Sequence, residues 1–106
     1  MSRDPLVTWR EMLTEELKAN GEGFSDIVSL CAAPNRYSWD PPAIPYEGES
    51  WLDEKFDSGY GGTRGAFFTV WTHKRVYFPV CYDGAEWVGS VARNPDGIAT
   101  PHQGGG

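Results

Sequence analysis

The chain has 106 residues, of which 40% are hydrophobic and 14% aromatic, with nine basic against fifteen acidic side chains and a formal net charge of −6. This length suits one domain with a modest core, residues 1–106, and the apolar share excludes an intrinsically disordered chain. An acidic balance argues against direct binding of nucleic acid, which needs a basic face. With no apolar run near about 18 residues and no charged-then-apolar N-terminus, neither a membrane span nor a secretory signal is expected.

Residues 1–6 read as a loose lead-in. Thr8-Trp9-Arg10-Glu11 is a capping box, in which the Thr8 hydroxyl accepts from the Glu11 amide while the Glu11 carboxylate reaches back, and Val7 with Met12 forms a hydrophobic staple. Trp9, Met12, Leu13 and Leu17 recur at helical spacing while Arg10, Glu11, Thr14, Glu15 and Lys18 fall on the outer side. Asn20-Gly21 supplies the left-handed conformers that end a helix. The stripe is expected to cover a sheet; Trp9 as an exposed partner anchor is the less common alternative.

The run from Phe24 to Ala33 is β-branched in its middle and closed by Pro34, so Ile27–Cys31 reads as a fourth strand at an edge, with a buried helix segment as the alternative. From Asn35 to Gly48, prolines 41, 42 and 45, with Pro34 at the border, interleave with Tyr37, Trp39, Ile44 and Tyr46. Such a segment is neither helix nor sheet interior. It is either an ordered loop packed across the surface or a partner-binding surface presenting Trp39 and Tyr46.

Ser50 reads as the N-cap of a short second helix with Asp53 in its first turn and Trp51, Leu52 and Phe56 as anchors. Around it Glu47, Glu49, Asp53, Glu54 and Asp57 face a single lysine, Lys55, which concentrates the chain's negative charge. A solvated helix face is the common explanation of such a stretch. The functional one is an acidic surface that imitates a phosphate backbone or docks on a basic groove of another protein. Gly59-Tyr-Gly-Gly-Thr-Arg-Gly65 follows a helix and precedes a strand, the reverse of a phosphate-cradling context, and reads as a connector.

Residues 65–94 read as a three-stranded antiparallel meander. Asp83-Gly84 is a two-residue type I′ turn that sets Tyr82 opposite Ala85, Val80 opposite Trp87, Phe78 opposite Gly89 and Val76 opposite Val91. A turn at His73-Lys74 sets Trp71 opposite Val76. One face then carries Phe67, Thr69, Trp71, Val76, Phe78, Val80, Trp87 and Val91 and is expected to be the core, under the first helix. The other face is mixed: Phe68, Val70, Arg75, Tyr77, Pro79, Cys81, Glu86, Val88 and Ser90. Pro79 lacks a donor that would point at Phe68, so the first pairing should stop or bulge there while the second continues past it. Gly89 leaves room for the Phe78 ring to lie across the backbone. The tail is expected to be ordered as far as Ile98, with about 99–106 flexible.

Chemistry-bearing residues are sparse. Cys31 and Cys81 are too few for a disulfide framework and read as buried free thiols in a reducing cytoplasm. His73 and His102 pair with neither cysteine for zinc binding or nucleophilic catalysis, Asp53 to Asp57 lacks calcium-loop spacing, and no two carboxylates stand out as acid and base. The expectation is a protein with no catalytic residue, metal or cofactor, and an oligomeric state that the residues leave open.

Phe-Asp-Ser-Gly-Tyr-Gly-Gly (56–62), Arg-Val-Tyr-Phe-Pro-Val (75–80) and Tyr-Asp-Gly-Ala-Glu-Trp-Val-Gly-Ser-Val-Ala-Arg-Asn-Pro (82–95) resemble small bacteriophage and prophage proteins of uncharacterised function. The resemblance spans the C-terminal half and part of the first helix, through turns, core aromatics and a strand proline. It implies a mobile-element origin and, by association with anti-CRISPR and other anti-defence inhibitors, a protein that blocks a host nucleic-acid-handling protein in the host cytoplasm.

The expected architecture is α+β: an N-terminal helix on a three- to four-stranded antiparallel sheet, with a short acidic helix alongside. The first functional expectation is a non-enzymatic inhibitor whose Glu47, Glu49, Asp53, Glu54 and Asp57 meet a basic, nucleic-acid-binding surface of a host protein, with no membrane involved. The second is a module that sequesters a nucleotide-like ligand between Tyr77, Arg75 and Phe68 of the mixed face and the Trp39/Tyr46 loop.

Overall fold

The computed structural model describes residues 6–36, 39–41, 44–57, 64–82 and 85–103. Helix α1 spans Trp9–Ala19, and its start follows the capping chemistry: Thr8 is extended and its hydroxyl accepts from the Glu11 amide at 3.2 Å. Asn20 caps the far end, and Gly21, at φ 74°, turns the chain so that the Glu22 amide reaches back to the Leu17 carbonyl at 2.8 Å.

Strand β1 (Leu6–Val7) pairs antiparallel with β3 (Phe56–Asp57), so Leu6 is held in a small sheet and is not part of a loose lead-in. Strands β2 (Ile27–Ala33), β4 (Phe67–Thr72), β5 (Arg75–Tyr82) and β6 (Ala85–Ala92) form a second antiparallel sheet in the order β2-β4-β5-β6. The meander is present with the expected register, Val76↔Val91, Phe78↔Gly89, Val80↔Trp87 and Tyr82↔Ala85, and the fourth strand lies at an edge. Its turn residues Asp83 and Gly84 lie outside the described residues, as do the glycine-rich 58–63, Tyr37 and the two ends, 1–5 and 104–106.

Pro79 acts as its missing N–H dictates. The β4–β5 ladder holds Trp71↔Val76 and Val70↔Tyr77 and then ends, two residues short of Phe68, whereas β5–β6 runs unbroken through Pro79↔Val88.

The side of the sheet that α1 covers is opposite to the expected one. Val70, Tyr77 and Thr72 are fully buried and Phe68 and Val88 nearly so, together with Trp9, Leu13 and Leu17 of α1. Phe67, Tyr82 and Trp87 on the more apolar face are 38, 50 and 37% exposed. The physical reason lies in the polar groups of the mixed face, each of which finds a partner there. The Tyr77 hydroxyl donates to Glu22 Oε1 at 2.6 Å and the Thr72 hydroxyl donates to the same oxygen at 3.1 Å. Arg75 Nε donates to the Ser90 hydroxyl at 2.9 Å, and the Asn20 side-chain amide donates to the same hydroxyl at 3.4 Å. Buried Glu86 accepts from the backbone amides of Arg64 and Gly65 at 2.8 and 3.1 Å. With its polar atoms satisfied, that face costs little to bury.

Two local expectations also change. Ser50–Asp53 is a single 3-10 turn with Glu49 at the N-cap position; it buries Trp51 and Leu52, while Phe56 lies beyond it in β3. The free thiols are not buried: Cys31 is exposed and Cys81 half-buried.

Candidate functional site

The outer edge of β2 is the feature that the acidic segment adjoins. Ala32 turns its carbonyl to that edge, where it accepts from the Tyr46 amide at 2.8 Å. Backbone groups of alternate residues in a strand point to the same edge. Leu30 therefore offers its N–H and C=O there too, and among the described residues nothing pairs with them. A groove of about 490 Å³ runs along this edge, with Ile27–Cys31 on one side and Tyr46, Gly48 and Glu49 on the other.

The structure brings some of the expected partner-binding residues together at this groove and gives others structural work. Glu47, Glu49 and Glu54 are exposed, and Glu49 lines the groove itself. Tyr46 is half-buried against the core; burial first, and the neighbouring Glu54 carboxylate second, push its hydroxyl above the usual tyrosine range. Asp53 is exposed but engaged: Arg10 grips it through Nε at 2.7 Å and Nη2 at 3.0 Å. That guanidinium holds the Asp53 carboxyl below the usual range, and it also lies 5.5 Å over the Phe24 ring. Asp57 is half-buried in β3, which pairs with β1 in the separate two-stranded sheet. Trp39 is 78% exposed, and Ile44, five residues on, is 86% exposed.

The residues of the expected nucleotide-like site are divided by burial, with Arg75 half-buried and Trp39 exposed. Tyr77 is fully buried and Phe68 is 5% exposed beneath α1. Among the described residues no group of three His, Cys, Asp or Glu side chains is placed to hold a metal, and no helix is long and apolar enough to cross a membrane.

Two features escaped the residue-by-residue reading. One is the free edge of β2, whose signal was present: a strand read as an edge with no charged side chain between Ile27 and Ala33 to guard it. The other is the open face of the sheet. Among the described residues the strands carry no acidic or basic side chain on that face, because Arg75 and Glu86 both lie on the covered one.

No family model matches the chain, and no solved structure does. A stretch of 53 residues is 40% identical to part of the multiheme cytochrome MtrA of Shewanella baltica (strain OS185), covering 48% of this chain and 16% of the cytochrome. The two cysteines, Cys31 and Cys81, have Pro34 and Gly84 three positions on, so the chain holds no Cys-x-x-Cys-His haem-attachment sequence.

Proposed function

We propose that this chain is a binding protein of a phage or other mobile element that inhibits a host nucleic-acid-handling protein, and that it docks through the acidic side of the β2 groove. The observation that carries the reading is the coincidence of two features in one place: a strand edge with unpaired backbone groups, and a wall that includes Glu49 with Glu47 and Glu54 close in sequence. An extended segment added to β2 gains main-chain hydrogen bonds, and lysines or arginines along it meet the carboxylates. Basic segments of this kind are what nucleic-acid-handling proteins present to phosphate. The sequence resemblance to phage and prophage proteins supports the setting. Asp53 contributes less than its neighbours, because Arg10 already neutralises it.

The test compares the tagged wild-type chain with a Glu47→Lys, Glu49→Lys, Glu54→Lys variant in capture from host lysate at low and high salt, followed by inhibition assays on the captured protein. The expected result is a nucleic-acid-handling protein that the wild type holds and inhibits at low salt, releases at high salt, and does not engage as the variant. Equal capture and inhibition by the variant refutes the acidic-edge reading.

A further inference from the structure

We infer that the open face of the four-stranded sheet is the interface of a homodimer, closed by the same face of a second copy. This inference does not depend on the acidic groove, which lies at the β2 edge.

The face presents aromatic side chains to solvent, around a centre where Val80 is buried and Trp71 and Phe78 are half-buried. Phe67, Trp71, Phe78, Tyr82 and Trp87 share it by register, and Phe67, Tyr82 and Trp87 are more than a third exposed. Stable monomers seldom leave a contiguous apolar patch of more than a few hundred Å² in water. At the β6 border Gln103 reaches over Gly89, its Oε1 lying 2.8 Å from where a Cβ would sit, but its side chain is itself exposed.

Charge selects the occupant. The chain has nine basic and fifteen acidic side chains, and the strands place none of them on this face. Elsewhere two copies of a −6 chain repel one another; here they meet without like charges opposed. A partner chosen by opposite charge has nothing to recognise on this surface. A second neutral sheet face does, and an isologous two-fold pairing supplies it from the same chain.

The size is sufficient. Four strands about 4.8 Å apart, each at least six residues long at about 3.4 Å per residue, give a face of roughly 400 Å² in projection. With the relief of its aromatic side chains, two such faces bury on the order of 1,000 Å², which reaches the lower bound of a specific interface. Two sheets packed face to face lie about 10 Å apart and cross at about −30°, the geometry of a β-sandwich.

Sedimentation equilibrium on the full chain tests this, with Trp87→Glu and Phe67→Glu as variants and far-UV circular dichroism to confirm that each is folded. Both side chains are more than a third exposed, so a charge there is tolerated by the monomer, yet it appears twice at the two-fold interface. The wild type is expected at twice the 11.8 kDa of one chain, and each variant at least about tenfold weaker in self-association. Glu49→Lys should leave the dimer intact, which separates this surface from the acidic groove. Cys31, exposed and opposite Thr69 on the same face, gives a readout that needs no variant. Its alkylation, followed by peptide mapping, should slow as the chain is concentrated. A wild type that stays at 11.8 kDa up to about 0.1 mM, a dimer that survives both folded variants, or a dimer in which Cys31 reacts at the monomer's rate overturns the inference.

Discussion

Gly65→Ala puts a single methyl group where the core has no room for it. A Cβ at Gly65 would lie 2.6 and 2.7 Å from Cζ2 and Cε2 of Trp9 and 2.8 Å from Cζ of Phe56, well inside van der Waals contact. Neither ring can simply step aside. Trp9 is 1% exposed, its Nε1 donates to the Ala66 carbonyl at 3.1 Å, and its ring centroid lies 4.8 Å from those of both Phe56 and Phe68. The backbone is held as well, since the Gly65 amide donates to Glu86 and its carbonyl accepts from Asn35. Overpacking of a filled core costs about 1–3 kcal/mol, and rings this well pinned place Gly65→Ala at about 2 or above. For a domain near this size that lowers Tm by about 8–15 °C. Thermal unfolding followed by tryptophan fluorescence, with a urea titration alongside, measures it. Gly23→Ala is the matched control, because its Cβ meets nothing within 4 Å and its φ of −142° suits any residue. A Tm for Gly65→Ala within about 2 °C of the Gly23→Ala control would show that the Trp9 pocket yields freely, and would refute the claim that this glycine is required by packing.

Two further predictions concern the buried polar groups. Glu86→Ala leaves the amides of Arg64 and Gly65 without their acceptor and should cost about 3 kcal/mol, with the Gly65 amide losing protection in hydrogen exchange; an unchanged exchange rate at Gly65 argues against the arrangement. Burial, reinforced by the Glu22 carboxylate, raises the Tyr77 hydroxyl above the ordinary tyrosine value of about 10. Because the folded value is the higher one, Tyr77 contributes stability that is fully present below pH about 10 and is lost as pH rises above it. Tyr77→Phe should therefore flatten the alkaline fall of the urea midpoint while losing about 1.5–3 kcal/mol at pH 7 with the hydrogen bond to Glu22; an alkaline profile parallel to that of the wild type refutes the assignment.

The parts whose physics is local are legible in the residues alone. Thr8 and Glu11 start α1 through one hydroxyl, and Gly21 ends it through a positive φ. The spacing of the turn residues sets the meander's register, and the missing N–H of Pro79 cuts the β4–β5 ladder where a donor was needed. The acidic segment and Trp39 could be named because charge and aromatic content need no partner to be read. Tertiary structure decided which face of the sheet lies inside. Strand alternation sorts residues into two sets but does not say which set meets the helix, and here both sets are apolar enough to be buried. On transfer free energy alone Phe67, Trp71, Phe78 and Trp87 would have won. The covered face is instead the one whose Thr72, Tyr77, Ser90 and Glu86 reach Glu22, Asn20, Glu16 and the amides of residues 64 and 65, through pairings 21 to 74 residues apart in the chain. The same nonlocal pairing fixes Arg10 on Asp53 and Tyr46 on the edge of β2, which leaves the groove open beside it. Burying a face that carries this many polar atoms costs little only where their partners arrive, and that arrival is a property of the folded chain.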